Sequence, residues 1–327
     1  MSVNVITSFQ RFLNNKVNLS KEETDKARAS RNWLIEQINA FPEKITQFPK
    51  LYTDHNINYG SFARRTKIRP LDDIDIMICL SAEGAKYSES GAKTTIEVSK
   101  NHSLLNQFCN EGTNLINSIK IINKFIWALK QVPQYKDASI KRNQEAATLE
   151  LNSYNWVFDI VPCFYTNCDN NGNSYYFIPD GKGAWKKTNP KLDQEKVTQI
   201  NQDNNGNVLN FIRIIKYWNK FSKLNIPSYL LETIVLNYCE QKSISQFVDL
   251  DLPGFFGYIA SSIFPPVYDH KGIQGDINCL TNELRNKISK RAYDDKRIAE
   301  EARSFETENY PACSIETWCQ ILGVDLI

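Results

Sequence analysis

The sequence predicts an α+β protein with two lobes, in which a long N-terminal helix and a mixed β-sheet lobe precede a helical lobe. The length of 327 residues is enough for two cores, and 42% hydrophobic and 23% charged residues are typical of a globular protein. Strand patterns lie in the first part of the chain, and helical periodicity dominates from about residue 208. We therefore predict domains at 1–205 and 206–327.

The N-terminal helix is predicted from a capping box. Glu23 follows Ser20 by three residues, and apolar residues then recur at helical spacing up to about Ala40. Four further segments have helical periodicity: 115–129, 208–222, 228–242 and about 276–306.

Strands are predicted by alternation and by short apolar runs within 138–166. The turn at 169–173 predicts that the run ending near residue 166 pairs with 174–179. The polar segments 81–100 and 180–207 are predicted to be loops.

The bulk composition excludes several function classes. The formal net charge of +2 does not favour a protein that coats nucleic acid. The eight cysteines show no CxxC pair, no leader is evident, and no apolar run is long enough for a membrane span. We expect reduced, mostly buried thiols, a cytoplasmic location and no membrane partner. His102 and His270 are interpreted as surface or capping residues.

Two carboxylates occupy a segment that otherwise favours burial. Asp73 and Asp75 alternate with Ile74, Ile76 and Ile78, so a strand would place both carboxylates on one face, about 6.6 Å apart. At an effective dielectric constant near 20, their charges would repel by roughly 2.5 kcal/mol. A divalent cation between them reverses the sign of this energy. We therefore predict a site for two Mg²⁺ ions, with Mn²⁺ as a substitute, as in nucleotidyl transfer.

Asp159 is the candidate third carboxylate. It interrupts the apolar run NWVFDIVPCF, and in a strand it would face away from Phe158 and Ile160. Alone, such a residue is better explained by a loop cap or by pairing with an arginine. Because Asp73 and Asp75 already indicate a metal site, we predict that Asp159 completes it.

Gly60 and Ser61 precede the strand that carries Asp73. Glycine lets the backbone approach a ligand closely, and the N–H groups that open the next helix attract anions. The alternative is an ordinary turn in which Ser61 caps the helix. Together with the later Asp-x-Asp motif, the pair predicts a phosphate-binding turn.

This order of motifs resembles the DNA polymerase β-like nucleotidyltransferase superfamily, in which a Gly-Ser turn holds the donor triphosphate and carboxylates hold the metals. From about residue 20 to 325, the chain is similar to one branch, the bacterial cGAS/DncV-like nucleotidyltransferases, or CD-NTases. The segments that carry the similarity are GSFARRTKIRPLDDIDI, FDIVPCF, FIPDGKGAWKKTNP, NFIRIIKYW, PSYLLE and SIETWCQILG. The resemblance implies a bilobed polymerase β-like fold with its active site in the cleft.

The resemblance also implies roles in the helical lobe. Lys216 matches a lysine that contacts the donor triphosphate, Ser228 matches a serine that touches the phosphates, and Tyr229 matches a tyrosine that stacks on the donor base. Without it, Lys216 would be interpreted as a solvated lysine whose stem covers apolar surface, and Ser228 as part of a helix start. Arg64 is interpreted as part of a solvated helix face, with a phosphate contact as the alternative.

The residues themselves point to metal-dependent nucleotidyl transfer, and the resemblance implies the product. We expect nucleoside triphosphates (ATP, GTP, CTP or UTP) to be joined into a cyclic di- or trinucleotide, with release of pyrophosphate. By resemblance, this second messenger signals phage infection to an effector protein in bacterial CBASS defence. We expect a monomer that double-stranded DNA does not activate, because the chain lacks the His/Cys insertion of animal cGAS.

Two other functions remain open. The first is a different transferase that makes linear 2′-5′ oligoadenylate or poly(A), or that adenylylates a small molecule. The second is a catalytically inactive relative that binds nucleotide or RNA as a scaffold. Three carboxylates crowded together argue against the scaffold, because binding alone does not require them.

Overall fold

The computed structural model describes residues 4–91, 93–99 and 103–326. The chain divides into two compact units. The sheet unit comprises residues 21–63 and 70–191, and the helical unit comprises the described parts of 1–20, 64–69 and 192–327. The sequence-based domain limits, 1–205 and 206–327, stay a prediction.

The sheet unit contains nine strands among its described residues. They are β1 (Ile57–Tyr59), β2 (Asp73–Leu80), β3 (Lys86–Ser90), β4 (Lys93–Glu97), β5 (Ser139–Asn143), β6 (Ala146–Glu150), β7 (Val157–Tyr165), β8 (Tyr176–Pro179) and β9 (Trp185–Thr188). Their order along the sheet is β1-β2-β7-β8-β9-β4-β3, and the β5–β6 hairpin joins through β6 to β7. The sheet is mixed, as predicted.

Helices come before, between and after the strands in the sequence, and the second unit is helical. They are α1 (Val5–Phe12), α2 (Lys21–Asn39), α3 (Phe41–Lys44), α4 (Gly60–Ala63), α5 (Ser118–Leu129), α6 (Pro190–Asp203), α7 (Val208–Phe221), α8 (Ser228–Cys239), α9 (Val248–Ser262), α10 (Asn282–Thr307) and α11 (Pro311–Leu322). Helical turns also occur at Leu13–Val17, Thr53–His55, Leu104–Phe108, Pro133–Tyr135 and Val324–Leu326. The predicted helices are confirmed, with the last one starting at Asn282.

The pairing of β2 with β7 organises the sheet unit. The two strands are parallel and in register from Asp73 opposite Val157 to Leu80 opposite Phe164. Ile74 is 1% exposed, and the other apolar residues on the same faces of the two strands are buried as well. Burial of one face of both strands against the core fixes the register, because a shift by one residue would bury the carboxylates instead. The predicted pairing of 156–166 with 174–179 is also confirmed, as β7 with β8.

The core of the helical unit orients α7. Phe211, Ile215 and Trp218 on this helix are fully buried. The indole Nε1 of Trp218 donates a hydrogen bond of 2.7 Å to Asp295 Oδ2 on α10. Such a partner stabilises a buried indole, so this bond and the burial of Phe211 and Ile215 together favour one rotation of α7 about its axis, which sets the direction of Lys216.

Two segments predicted to be loops contain regular structure. Strands β3 and β4, within 81–100, form an antiparallel hairpin. All five residues of β3 are exposed, so the strand lacks the alternation that marks a buried face. Within 180–207 lie β9 and α6, and Pro190 is the first residue of α6, where its fixed φ favours the helix. Both loop predictions were wrong.

All eight cysteines are free thiols. Four of them, at positions 79, 109, 163 and 239, are buried, so the expectation of mostly buried thiols holds for only half. None of the helices in the described part of the chain has both the length and the apolar character needed to cross a membrane.

Candidate active site

Three carboxylates share one face of the sheet. Asp73 and Asp75 lie two residues apart on β2, and Asp159 on β7 is directly opposite Asp75. Residues opposite each other on paired strands point to the same face, and so do residues two apart on one strand. The structure therefore brings the three predicted residues together. Their role as metal ligands stays a prediction.

A threonine on the neighbouring strand holds the third carboxylate. Thr148 lies opposite Asp159 in the antiparallel register of β6 and β7, and its Oγ1 donates a hydrogen bond of 2.5 Å to Asp159 Oδ1. Burial raises the pKa of Asp159, the hydrogen bond from Thr148 lowers it, and the charge of Asp73 raises it. The net shift is upward. This face thus disfavours further negative charge and favours a cation.

Position 60 requires a glycine, because its backbone lies too close to the Asp75 side chain to leave room for a Cβ atom. Its φ of +73° lies in the left-handed region, and a Cβ added there would be 1.7 Å from Asp75 Oδ2. Tyr59, the preceding residue, lies opposite Asp75 in the β1–β2 pair. Burial, followed by the charges of Asp75 and Asp159, raises the pKa of the Tyr59 phenol, which therefore stays neutral. Gly60 opens α4, and Ser61 is its second residue.

The donor chemistry of this face fits magnesium. Carboxylate oxygens are the ligands that Mg²⁺ prefers, and three of them on one partly buried face need positive charge nearby. Among the described residues, no group of three or more His, Cys, Asp or Glu side chains is already arranged to hold a metal ion. The fit therefore rests on the type of donor and on the shared face. Asp73, Asp75 and Asp159 are the residues that would bind the ions.

In the helical unit, Lys216 lies in a buried ionic cluster. Its Nζ donates a hydrogen bond of 2.8 Å to Glu232 Oε1 on α8. Glu232 Oε2 lies 3.1 Å from Arg64 Nη2 and accepts a hydrogen bond of 3.1 Å from Thr66 Oγ1. The side chains of Arg64 and Lys216 are 11% and 8% exposed. The interpretation of Arg64 as part of a solvated helix face was wrong, because Glu232 draws it into the protein.

Electrostatics keep Glu232 ionised in this cluster. Burial acts to raise the pKa of its carboxyl, but the charges of Arg64 and Lys216 and the hydrogen bonds from Lys216 and Thr66 outweigh burial. The pKa is therefore lowered. Within this cluster, two cations are paired with one anion, and the charge of Arg64 also acts on Asp193.

Ser228 and Tyr229 open α8. Ser228 is exposed and is the first helical residue, after Pro227. Tyr229 is half-buried, and its hydroxyl contacts Asp269 Oδ1 at 2.7 Å and Asp193 Oδ1 at 3.0 Å. The predicted roles of Lys216, Ser228 and Tyr229 in nucleotide binding stay predictions.

His270, interpreted as a surface or capping residue, is less exposed than a surface residue would be. Its side chain is 14% exposed, and its Nε2 lies 3.1 Å from Asp193 Oδ1. His102 lies outside the described residues.

Sequence reasoning missed the residues that support the predicted ones. They are Arg64, Thr148, Asp193, Glu232, Asp269 and Lys271. Glu232 carried a signal, because it interrupts the apolar helix YLLETIVL in the way that Asp159 interrupts its strand. For Thr148 and for the loop around Asp269, no local pattern distinguishes them, since their partners lie far away in sequence.

Comparison with known proteins places the chain among enzymes. No family model matches the sequence. A probable cyclic nucleotide synthase of Bacillus cereus strain VD146 is 44% identical over 318 residues, covering 97% of this chain and 96% of that protein. A cyclic AMP-AMP-AMP synthase of Escherichia coli strain MS 115-1 is 21% identical over 258 residues, covering 77% of this chain and 70% of that protein.

Two solved structures share the fold. A structure of E. coli MS115-1 CdnC with ATP has a TM-score of 0.70 at 16% identity and covers 100% of both chains. A complex of the same protein with HORMA-deltaN has a TM-score of 0.71 at 16% identity, covering 98% of this chain and 97% of that one.

We predict that Gly60→Ala destabilises the protein more than Gly84→Ala does. Both glycines have positive φ, but a Cβ at Gly84 meets nothing within 4 Å, whereas one at Gly60 collides with the Asp75 carboxylate. Gly84→Ala should cost about 1 kcal/mol from backbone strain. Gly60→Ala should cost about 2 kcal/mol more from overpacking, as measured by urea unfolding. Equal losses would show that Asp75 moves aside freely and that close approach is not a constraint.

Proposed function

The chain belongs to the CD-NTase family of cyclic nucleotide synthases, and from this premise we propose that it joins nucleoside triphosphates into a cyclic di- or trinucleotide by two-metal-ion chemistry. The predicted family, the α+β polymerase β-like fold and the enzyme class, a nucleotidyltransferase, are confirmed by the relatives and the shared fold. One observation carries the proposed site: Asp75 and Asp159 lie in register on adjacent strands, with Asp73 on the same face.

The proposed reaction is an in-line displacement at phosphorus. An acceptor ribose hydroxyl loses its proton to water and attacks the α-phosphorus of the donor, so an O–P bond forms while the bond to the leaving pyrophosphate breaks. When bound, Mg²⁺ would neutralise phosphate charge and lower the pKa of the attacking hydroxyl. Asp73 and Asp75 would hold one Mg²⁺ ion, and Asp159 would help to hold the second. A second transfer would close the ring.

Four residues are proposed to bind the donor phosphates. Gly60 and Ser61 offer the backbone N–H groups and the hydroxyl of a tight turn, and Ser228 offers the exposed start of α8. Lys216 has three N–H donors, and Glu232 accepts one of them at 2.8 Å. Its contact with Glu232 is therefore compatible with a contact to phosphate. Tyr229 is proposed to stack on the donor base.

The biological context is proposed from the relatives. The E. coli relative is named a cyclic AMP-AMP-AMP synthase, and CdnC has been solved with ATP and with HORMA-deltaN. We propose that this chain likewise takes nucleoside triphosphates and that its product is a second messenger of CBASS anti-phage defence, read by an effector protein. Cytoplasmic location and a monomer that needs no double-stranded DNA complete the proposal. A protein activator is an alternative to constitutive activity.

Product analysis tests this function. The purified protein would be incubated with Mg²⁺ and radiolabelled ATP, GTP, CTP and UTP, singly and in pairs. A cyclic product resists phosphatase, whereas a linear oligoadenylate or a poly(A) product loses its terminal phosphates. A phosphatase-sensitive product would overturn the cyclic synthase in favour of the linear one, and nucleotide binding without turnover would favour the scaffold.

We predict that Asp73→Asn combined with Asp75→Asn abolishes product formation and leaves the fold intact or more stable. Two adjacent negative charges are removed, so repulsion on the sheet face decreases while the metal ligands are lost. Product yield and thermal unfolding would be measured together, with the exposed Asp137→Asn as the matched control. Product from the double variant would show that these carboxylates are not the catalytic ones.

We also predict that Thr148→Val moves the acid limb of the pH–rate profile to higher pH. The Thr148 hydrogen bond stabilises the ionised Asp159, whose pKa is already raised, so its removal raises that pKa further. As the pH is lowered, Asp159 should become protonated at a higher pH in this variant than in the unchanged protein. In the profile of kcat/KM against pH, the decrease on the acid side should therefore begin at a higher pH. Thr148→Ser keeps the hydroxyl and should leave the limb in place. A limb that does not move in Thr148→Val would remove Asp159 from the ionisations that control the rate.

A further inference from the structure

The hydroxyl of Tyr229 joins three segments of the helical unit. Its oxygen lies 2.7 Å from Asp269 Oδ1, in the loop 268–276, and 3.0 Å from Asp193 Oδ1, in the first turn of α6. Tyr229 itself lies in the first turn of α8. The polar end of the side chain is therefore held by residues from elements that lie far apart in the sequence.

Lys271 is the centre of this group. Its Nζ donates to Asp193 Oδ1 and Oδ2 at 3.0 and 3.2 Å, lies 3.2 Å from Asp269 Oδ1, and also donates to the Tyr229 oxygen. A phenol has one proton and cannot satisfy two carboxylates at once, so the ammonium supplies the remaining donors. The Lys271 side chain is 3% exposed and that of Asp269 is fully buried.

The loop that carries Asp269 is held by the same carboxylate. Both of its oxygens accept backbone N–H groups, from Lys271 at 3.2 Å, Ile273 at 3.3 Å and Gln274 at 3.1 Å. Burial opposes ionisation, but the hydrogen bond from Tyr229 and the charge of Lys271 outweigh it, and the pKa of Asp269 is lowered to about 2. The carboxylate therefore stays charged and accepts these backbone N–H groups of the loop as an anion.

The cost of this group argues for a role beyond packing. One acceptor is enough to satisfy a buried tyrosine hydroxyl. Here two carboxylates and an ammonium are withdrawn from water around it, and such burial is costly even when the charges are paired. Lys271 Nζ also lies 4.2 Å from the centroid of the Tyr229 ring, so the cation restrains the ring as well as the hydroxyl. Tyr229 as a whole is half-buried, and its polar end is held by hydrogen bonds.

We propose that Asp193, Asp269 and Lys271 are positioning residues that fix the Tyr229 ring in advance for stacking on the donor base. This proposal rests on the proposed function, in which Tyr229 binds that base. A side chain that is already immobilised loses less conformational entropy when the nucleotide binds, so the network should increase affinity rather than the rate of the chemical step.

Three variants separate the ring from its anchor. Tyr229→Phe keeps the ring and removes the hydroxyl, Tyr229→Ala removes both, and Asp193→Asn weakens the anchor from the other side. Tyr238→Phe is the matched control, because it removes the hydroxyl of a buried tyrosine on the same helix outside the network. For each variant, kcat, KM and thermal unfolding would be measured, and the Kd for ATP, GTP, CTP and UTP would be determined by calorimetry.

We predict that Tyr229→Phe raises KM and Kd for the donor about three- to tenfold while kcat changes less than twofold. Tyr229→Ala should raise them tenfold or more, because base stacking is lost as well. Asp193→Asn should act in the same direction as Tyr229→Phe, and the effects of the two changes on Kd should be less than additive in the double variant, since both act within one hydrogen-bond network. Tyr238→Phe should leave KM unchanged even if it lowers the melting temperature.

Other results would overturn the proposal in distinguishable ways. If Tyr229→Ala weakens binding and Tyr229→Phe does not, the ring stacks without needing its anchor, and only the positioning role is lost. If both variants leave Kd unchanged, Tyr229 does not contact the base, and its proposed stacking role is wrong as well as the positioning role. Synthesis of a cyclic product by those variants would still support the proposed function. Loss of thermal stability with unchanged Kd would show that the network is purely structural.

Discussion

The structure depends on one electrostatic constraint: three carboxylates must be held side by side on a partly buried sheet face. Parallel pairing of β2 and β7 places Asp75 opposite Asp159, and the buried apolar residues of the other face prevent the register from shifting. Like charges at this spacing oppose folding, so the apolar face has to outweigh their repulsion. The surroundings follow from this conflict, since Thr148 stabilises one charge and the absence of a side chain at Gly60 leaves room for another.

The helical unit, by contrast, buries positively charged side chains. Glu232 lies between Arg64 and Lys216 and lets two cations remain inside the protein with one anion. In the second group, Lys271 lies between Asp193 and Asp269, so one cation serves two anions. Counted over these side chains, the first cluster has one cation in excess and the second has one anion in excess, and the charge of Arg64 also acts on Asp193. We propose that the first contributes to phosphate binding and that the second fixes a tyrosine, and both use buried pairs of opposite charge.

Local sequence was sufficient to predict a site residue where its position depends on the pattern of a single segment. Asp73 and Asp75 could be placed on one face because strand alternation is a local rule, and Asp159 could be found because it breaks an apolar run. Thr148 could not be found, because its partner is set by the register of β6 with β7. Lys216 illustrates a middle case: its helix was predictable, but its burial depends on Glu232, which lies on another helix. The hairpin β3–β4 was missed because all five residues of β3 are exposed, although Thr94 and Ile96 on β4 are buried.

That hairpin has a consequence for the protein in a crowded cell. Among the described strands, β3 is the last of the sheet, so its outer edge presents backbone groups to which another chain could add a strand. Lys86 and Glu89 are exposed along this edge, and Glu89 lies 3.6 Å from Lys187 of the sheet. Hydrated charges at such a border discourage amyloid-like stacking, because a strand from another molecule would have to strip their water. The polarity that conceals β3 from pattern analysis thus disfavours the addition of a strand from another molecule at this edge.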